Sequence, residues 1–232
     1  AGVEEVGALF DRPKLSLGMA GLADPEVGAL ALVLRTQRPA ELRQLDLLGN
    51  DISVRAATHL ADVVLASTAR GALSMVGDDF DRPHAFLHGR GLGDADLVLL
   101  GASLRLRAPT PTFRLRSLEL YGNRLGASVD VFGNRLGASL GCLGRAAGAL
   151  VQLEGLHLDA NAIDDEDIAA FCDALPSGDA LPALQVLGLS GNFLREITPL
   201  AAAAEAGALA ALRRLYLGHN QLEDASAAAR LT

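Results

Sequence analysis

A short pattern of leucines followed by one asparagine recurs along this chain and limits the folds that it can adopt. The pattern reads leucine, two residues, leucine, one residue, leucine, two residues and asparagine. A sequence that repeats in this way predicts a stack of similar units, because each unit buries its apolar face against the next. Five segments match the pattern fully: residues 42–52, 115–125, 153–163, 184–194 and 212–222.

The asparagine slot of the pattern indicates a sharp turn. Two weaker repeats, residues 14–22 and 85–92, carry Ala20 and Arg90 in this slot. A strand that ends in a sharp turn leaves buried N–H and C=O groups, and an amide side chain can both accept from and donate to such groups. We therefore expect the amides to form a ladder from turn to turn. Every asparagine of the chain occupies the slot or its copy: Asn50, Asn123, Asn134, Asn161, Asn192 and Asn220.

The leucine triplets predict short parallel strands, and the segments after them predict helices. Apolar residues recur there at three- and four-residue steps, which is typical of helices. Ser53, Asp94 and either Asp164 or Asp165 are suitable helix N-caps. The predicted strands lie at Leu17, Leu47, Leu87, Leu120, Leu158, Leu189 and Leu217. The predicted helices cover residues 53–66, 93–104 and 164–175.

A strand and a helix in each repeat of about 28 residues or more resemble the ribonuclease-inhibitor class of leucine-rich repeats. NOD-like receptors and the Ran GTPase-activating protein share this class. The resemblance covers nearly the whole chain and implies an α/β fold, namely a leucine-rich-repeat solenoid (horseshoe) with a concave parallel sheet and convex helices. Residues 1–232 would then form a single domain of about seven turns.

One insertion is expected near residues 126–148. The heptapeptide GNRLGAS of residues 122–128 occurs again at 133–139, eleven residues later. A complete turn does not fit into eleven residues, so the first copy should follow the strand and the second should lengthen the convex side. Such insertions at a surface cost little free energy.

A second insertion is expected near residues 70–83. Residues 71–80 match the pattern partly and compete with residues 85–92 for the third strand. The two segments are too close together to form two turns. We expect the strand at 85–92, with 70–83 as a protruding or irregular loop.

Charge and composition exclude several classes of function. The formal net charge is −8, which disfavours nucleic acid and anionic lipid as partners. No apolar run approaches the ~20 residues of a membrane span, so none is expected. Cys142 and Cys172 do not make a disulfide framework, which favours an intracellular location: cytoplasm, cilium or organelle interior.

The ends of the chain lack the polar caps that terminal repeats of a solenoid need. We therefore expect both ends to be covered by further chain or by a partner. On this interpretation residues 1–232 can be a fragment of a longer polypeptide.

No group of residues in the sequence forms a recognisable catalytic or metal-binding pattern. His84 and His88 are four residues apart, but on a strand this separates them by ~13 Å, too far for one metal ion. The acidic run 159–171 has Ile163 and Ala170 where a calcium loop needs ligands. We expect no catalytic residue, no metal and no cofactor, and a protein that is not an enzyme.

Candidate partner-binding residues lie between and just after the strand leucines, on the expected concave side. Tyrosine and arginine are favoured anchors of protein interfaces, and both tyrosines of the chain are in this set. The set comprises Arg43, Asp46, Leu48, Phe86, His88, Arg116, Glu119, Tyr121, Glu154, His157, Asp159, Arg213, Arg214 and Tyr216.

A second candidate site is a basic loop within residues 105–116, which contains prolines and no acidic residue. An acidic partner or a phosphate group could dock there, because guanidinium groups match both. Its basic residues are Arg105, Arg107, Arg114 and Arg116.

These observations favour a non-catalytic protein–protein interaction scaffold or a structural subunit of a larger assembly, with other protein subunits as partners. A regulatory ligand-recognition domain of the NOD-like or inhibitor type, using the concave face, is the alternative. GTPase activation is a third possibility, which the family resemblance alone implies.

Overall fold

The computed structural model describes residues 12–37, 41–66, 73–77, 80–110, 113–126 and 139–222. In these residues the chain is a mixed α/β protein with seven strands, six α-helices and one short 3-10 helix. The strands are β1 Lys14–Ser16, β2 Gln44–Asp46, β3 His84–Phe86, β4 Ser117–Glu119, β5 Gly155–His157, β6 Val186–Gly188 and β7 Arg214–Tyr216. The helices are α1 Asp24–Gln37, α2 Val54–Leu65, α3 Asp94–Arg107, α4 Gly141–Ala146, α5 Asp165–Asp173 and α6 Thr198–Glu205, with a 3-10 helix at Ala147–Ala149.

All seven predicted strand positions are confirmed, because each marker leucine directly follows a strand. The strands pair in parallel and in chain order. The middle residue of each strand points into the core, so that Leu118, Leu156 and Leu187 are aligned across three neighbouring strands and almost completely buried. The leucine spacing therefore sets both the strand and the face that it buries.

Each helix lies against the helix of the neighbouring repeat, from α1 beside α2 to α5 beside α6. In α2 the buried residues Ala57, Leu60, Ala61 and Val64 follow the three- and four-residue steps of one helical face. The Ser53 N-cap is confirmed, since its side chain accepts from Ala56 N.

The N-cap of α5 is Asp164, which settles the choice between the two aspartates. Its side chain accepts from the N–H groups of Glu166 and Asp167. The N-cap prediction at Asp94 was wrong: Gly93 is the cap of α3, and Asp94 is the first helical residue. The Asp94 carboxylate binds elsewhere, as described below.

The strands form two sheets, one of β1 and β2 and one of β3 to β7. The break lies at residues 73–77, where Ser74 makes an isolated parallel bridge to Gln44. The third strand forms at His84–Phe86, as expected. Of the two alternatives for 70–83, a protruding or an irregular loop, the described part is irregular but does not protrude, because Leu73, Met75 and Phe80 are buried in the core. These apolar side chains fill the space between the two sheets, so the segment cannot point into solvent.

The asparagine ladder is present, and every described rung reaches back to the preceding strand. Asn50 Nδ2 donates to Leu47 O of its own turn and to Leu17 O of the preceding turn, both at 2.8 Å. Its Oδ1 accepts from Leu22 N at 3.0 Å. The same pattern holds for Asn123, Asn161, Asn192 and Asn220. Asn134 lies outside the described residues.

The two repeats without an asparagine begin the two sheets. Ala20 follows β1 and Arg90 follows β3, and each of these strands is the first of its sheet. Because the amide bonds backwards, a turn with no paired strand before it would leave half of the amide's partners missing. The asparagine is therefore missing at the two turns that follow the first strand of a sheet.

Aspartates at the start of three helices make a second set of bonds between turns. Asp24 accepts from Ser53 N and Oγ at 2.8 and 2.7 Å, and the Ser53 hydrogen bonds hold the pKa of Asp24 below its usual value. Asp165 accepts from Arg195 N at 2.8 Å. Asp94 accepts from Gly126 N, also at 2.8 Å.

The Asp94 carboxylate also joins the two described residues on either side of 127–138. Its Oδ1 accepts from Ser139 Oγ at 2.8 Å as well as from Gly126 N, so Gly126 and Ser139 lie close together. The described part of the first GNRLGAS copy, residues 122–126, follows β4, as expected, and supplies Asn123. The second copy, apart from Ser139, lies outside the described residues.

We predict that Asn192→Ala lowers the free energy of unfolding by about 3 kcal/mol, since it leaves several buried backbone groups unpaired. Asn192 is buried and bonds Leu158 O, Leu189 O, Asn161 N and Ile163 N. The matched control is Asn220→Ala in the half-buried last described rung, with an expected loss of about 1 kcal/mol. Chemical denaturation followed by circular dichroism measures both, and equal losses would contradict the ladder as the main support.

Candidate interaction surface

The outer side of the two sheets, here called the strand face, carries the side chains that flank the buried middle residue of each strand. The register aligns Phe86, Glu119, His157, Gly188 and Tyr216 in one row across the five-stranded sheet. Such cross-strand neighbours are close enough to interact, with Cβ atoms ~5 Å apart. Most of the predicted partner-binding residues therefore lie on the strand face, either of the five-stranded sheet or of the two-stranded sheet.

Five side chains on or just after β3 and β4 gather on the strand face, and we call them the aromatic cluster: His84, Phe86, His88, Glu119 and Tyr121. The His88 and Tyr121 rings stack with centroids 4.4 Å apart and planes at 4°. Phe86 contacts both imidazoles, parallel to His84 at 5.8 Å and edge-on to His88 at 6.2 Å. Phe86 is 53% exposed and Tyr121 40% exposed, so a large apolar area faces solvent.

Glu119 lies within the cluster as an acid without a close counter-charge. Its side chain is only 20% exposed, and the contact within ion-pair range among the described residues is His88 Nδ1 at 3.8 Å. That distance is too long for a hydrogen bond. His88 Nδ1 itself is shielded from solvent and has no hydrogen-bond partner in the described part of the chain.

The predicted partner-binding set missed His84, although it included His88. The signal was present, because alternate residues of a strand share one face and His84, Phe86 and His88 alternate. The two imidazoles flank the Phe86 ring from opposite sides. Among the described residues no group of three His, Cys, Asp or Glu side chains could hold a metal ion.

Arg43 and Asp46 lie on the other sheet, beyond the break. Asp46 accepts from Leu48 N at 3.2 Å, and its carboxylate packs so closely on Gly77 that a Cβ there would lie 2.6 Å from Oδ2. The prediction that Leu48 faces a partner was wrong, since Leu48 is 6% exposed and belongs to the apolar core. Arg43 remains exposed.

Of the remaining strand-face candidates, His157 and Asp159 lie next to the aromatic cluster, whereas those near β7 are separated from it by Gly188 of β6. Asp159 leans over Gly188, where any Cβ would collide with its carboxylate, and it accepts from Ser190 N at 2.9 Å. His157 is half-buried beside Glu119. Arg213, Arg214 and Tyr216 are exposed on or next to β7, on the far side of Gly188.

The four arginines predicted as one basic loop do not form a single cluster, because they have different partners. Arg105 and Arg107 lie in the last turn of α3, and Arg107 is buried with Nη2 2.9 Å from Asp81 Oδ1. Arg116 pairs with Glu154. Arg114 donates to Phe113 O at 3.0 Å. The sequence between the arginines holds no acid, but the fold brings Asp81 and Glu154 to two of them.

Arg105 lines a cavity of about 70 Å³ between α2, α3 and α4, together with Asp62, Cys142 and Arg145. Arg145 Nη2 donates to Cys142 Sγ at 2.9 Å. Burial nevertheless raises the pKa of Cys142, although Arg145 and Arg105 oppose the shift. A thiol held in its protonated form is a poor nucleophile.

Cys172 is also a free thiol, half-buried in α5 against the apolar core. Burial raises its pKa to about 12. None of the helices in the described part of the chain has the length and apolar character that a bilayer crossing requires.

Comparison with known proteins gives a distant similarity to solved structures. No protein-family model matches the chain, and no curated protein matches it. Among solved structures the chain is similar to an internalin from Listeria monocytogenes, with 19% sequence identity and a TM-score of 0.35. The similarity covers 83% of this chain and 46% of the internalin chain, so this chain spans less than half of that protein. A similarity of this size identifies neither a family nor a function.

We predict that alkylation of Cys172 in the folded protein keeps accelerating as the pH rises beyond 9. Its pKa of about 12 means that the thiolate fraction is still increasing there, whereas an ordinary thiol with a pKa of ~8.5 reaches a plateau. Rates of iodoacetamide modification, measured for the Cys172 peptide by mass spectrometry, test this. The same peptide from the denatured chain is the control, and a plateau near pH 9 in the folded protein would contradict the burial.

Proposed function

We propose that this chain is a leucine-rich-repeat solenoid of the ribonuclease-inhibitor-like class, with the strand face concave, and that it is a non-catalytic protein–protein interaction module. The repeat pattern, the parallel strands in chain order and the backward-bonding asparagines support the fold. Residues 1–232 would form a single domain, with insertions near 70–83 and 126–148.

The observation that carries the proposed function is the exposure of the aromatic cluster. Phe86 and Tyr121 present large apolar rings to solvent, although both are anchored on or beside strands with fixed geometry. Stacking of Tyr121 on His88 restrains the ring, so little side-chain entropy remains to be lost on binding. Exposed, preorganised aromatic side chains are typical anchors of protein interfaces.

The proposed role is that of a scaffold or structural subunit within a larger assembly. Support comes from the outermost described strands, where Leu15 and Leu215 are only half-buried while Leu45 and Leu187 are almost completely buried. Apolar side chains in this position gain free energy when another surface covers them. We propose that further chain or a partner subunit covers both ends.

A regulatory ligand-recognition domain of the NOD-like or inhibitor type is the second candidate. The partly covered Glu119 within the aromatic cluster favours it, because a single recessed charge surrounded by rings suits selective recognition of one ligand. In this case the strand-face residues, including Tyr121, Arg213 and Tyr216, would carry the whole affinity. In the scaffold case, changes outside the strand face would also weaken binding.

We predict that the double substitution Phe86→Ala and Tyr121→Ala lowers the affinity for a copurifying protein partner at least about tenfold. Copurification from the native source with mass spectrometry identifies the partner, and calorimetry with both purified proteins measures the affinity. The unfolding free energy should change by less than about 0.5 kcal/mol for each site, because both side chains are exposed.

The matched control is Phe193→Ala, which removes an aromatic ring of similar exposure (49%) in the turn after β6. Unchanged binding by the double variant, with partner affinity lost instead on altering residues 127–138, would reject the strand face and retain a scaffold that binds through its other side. Unchanged binding in all variants would reject the proposal.

A further inference from the structure

We propose that Glu119 and the rings around it bind the guanidinium group of an arginine side chain on a protein partner. This inference rests on the proposed function, because it names the chemistry that the strand face recognises. It concerns the aromatic cluster alone and does not require the ends of the chain or the remaining strand-face residues.

The Glu119 carboxylate is available to an incoming cation because the neighbouring arginines are bonded elsewhere. Arg116, which directly precedes β4, pairs with Glu154. Arg90, in the turn after β3, donates from Nη2 to Phe86 O at 2.8 Å. Across the register Glu119 faces Phe86 and His157, neither of which carries a permanent charge. Glu119 is therefore four-fifths covered and pairs with no arginine or lysine among the described residues; its contact within ion-pair range there is His88 Nδ1, at a distance of 3.8 Å that is too long for a hydrogen bond.

The rings beside Glu119 provide a second attraction for a cation. Phe86 lies directly opposite on β3, and Tyr121 lies two residues further along the same face of the chain. The electron-rich faces of aromatic rings attract cations, and the attraction grows when solvent is partly excluded. A cation above Glu119 would thus contact the carboxylate and a ring together.

The shape of this surface favours arginine over other cations. The cluster is an open surface on a sheet, and a planar guanidinium can stack on the exposed Phe86 ring while its N–H groups point at the carboxylate. An ammonium group is compact and more strongly hydrated, so it gains less from a flat ring. The net charge of −8 adds a long-range attraction for a basic partner.

The test uses N-acetyl-arginine methylamide as the probe and the ¹⁵N-labelled 232-residue chain as the receptor, in an NMR titration at neutral pH. We expect saturable shift changes confined to residues 84–90, 117–121 and 155–159, with a dissociation constant on the order of millimolar. The lysine analogue should bind more weakly. The citrulline analogue, which has the same shape without the charge, should cause no saturable change. Equal binding of arginine and citrulline, or changes located elsewhere, would overturn the inference.

Variants separate the charge from the rings. Glu119→Gln should weaken binding of the arginine probe about fivefold, and Phe86→Ala should do so by a similar factor. Glu154→Gln is the matched control: it makes the same change at a glutamate directly before β5, which already has Arg116 as its partner. If Glu154→Gln weakens binding as much as Glu119→Gln does, the proposed site is wrong.

The same variants distinguish this inference from the proposed function. Loss of the partner in Phe86→Ala with Tyr121→Ala, but not in Glu119→Gln, would retain strand-face binding and reject recognition of arginine. Arginine binding at Glu119 without any effect of these variants on the partner would confirm the chemistry of the site and reject the strand face as the surface that binds the partner.

Discussion

The backward hydrogen bonds of the asparagine amides are the interaction on which the rest of the structure depends. Each described amide joins the last leucine carbonyl of its own strand to that of the preceding strand, and its oxygen accepts an N–H group from the turn before. Strands of three residues form too few ladder bonds to hold a sheet by themselves. The amides extend the pairing around the bend, so the chain can reverse without leaving buried backbone groups unpaired. This requirement fixes where each strand ends and which residues follow it onto the strand face.

At the break between the two sheets, a carboxylate makes the hydrogen bond between turns that an asparagine amide makes elsewhere. At the break between the sheets no amide extends from Arg90, and Asp96 Oδ1 of α3 instead accepts from Gly49 N at 2.9 Å. Asp96 is buried, and this burial raises the pKa of its carboxyl group. Ser103 makes a similar contribution by accepting from Met75 N at 2.8 Å. The break is therefore a bonded junction in which side chains of the following helix replace the missing rung.

The sequence predicted the regular part of this structure because each of its signals is local. The leucine triplets located every strand, and the slots at Ala20 and Arg90 were identified without an asparagine to mark them. The buried segment at 73–77 could not be predicted, since its role depends on how it packs against β2. The four arginines of the predicted basic loop could not be separated from the sequence for the same reason. Their acidic partners are distant in sequence: Asp81 lies 26 residues from Arg107, and Glu154 lies 38 residues from Arg116. His84 could have been assigned to the strand face from its alternation with Phe86 and His88.

The irregular part of the fold also creates the candidate site. β3 is the edge of the five-stranded sheet because the ladder is interrupted just before it, so its outward side chains have a paired strand on one side only. Phe86 is consequently more exposed than a side chain flanked by two strands, such as Glu119. At this interruption the asparagine slot after β3 holds Arg90. Its guanidinium donates to Phe86 O and does not pair with the Glu119 carboxylate. A regular repeat at this position would carry an amide pointing inward, so the exposure of the aromatic cluster follows from the break in the ladder, and Glu119 keeps His88 as its contact within ion-pair range among the described residues.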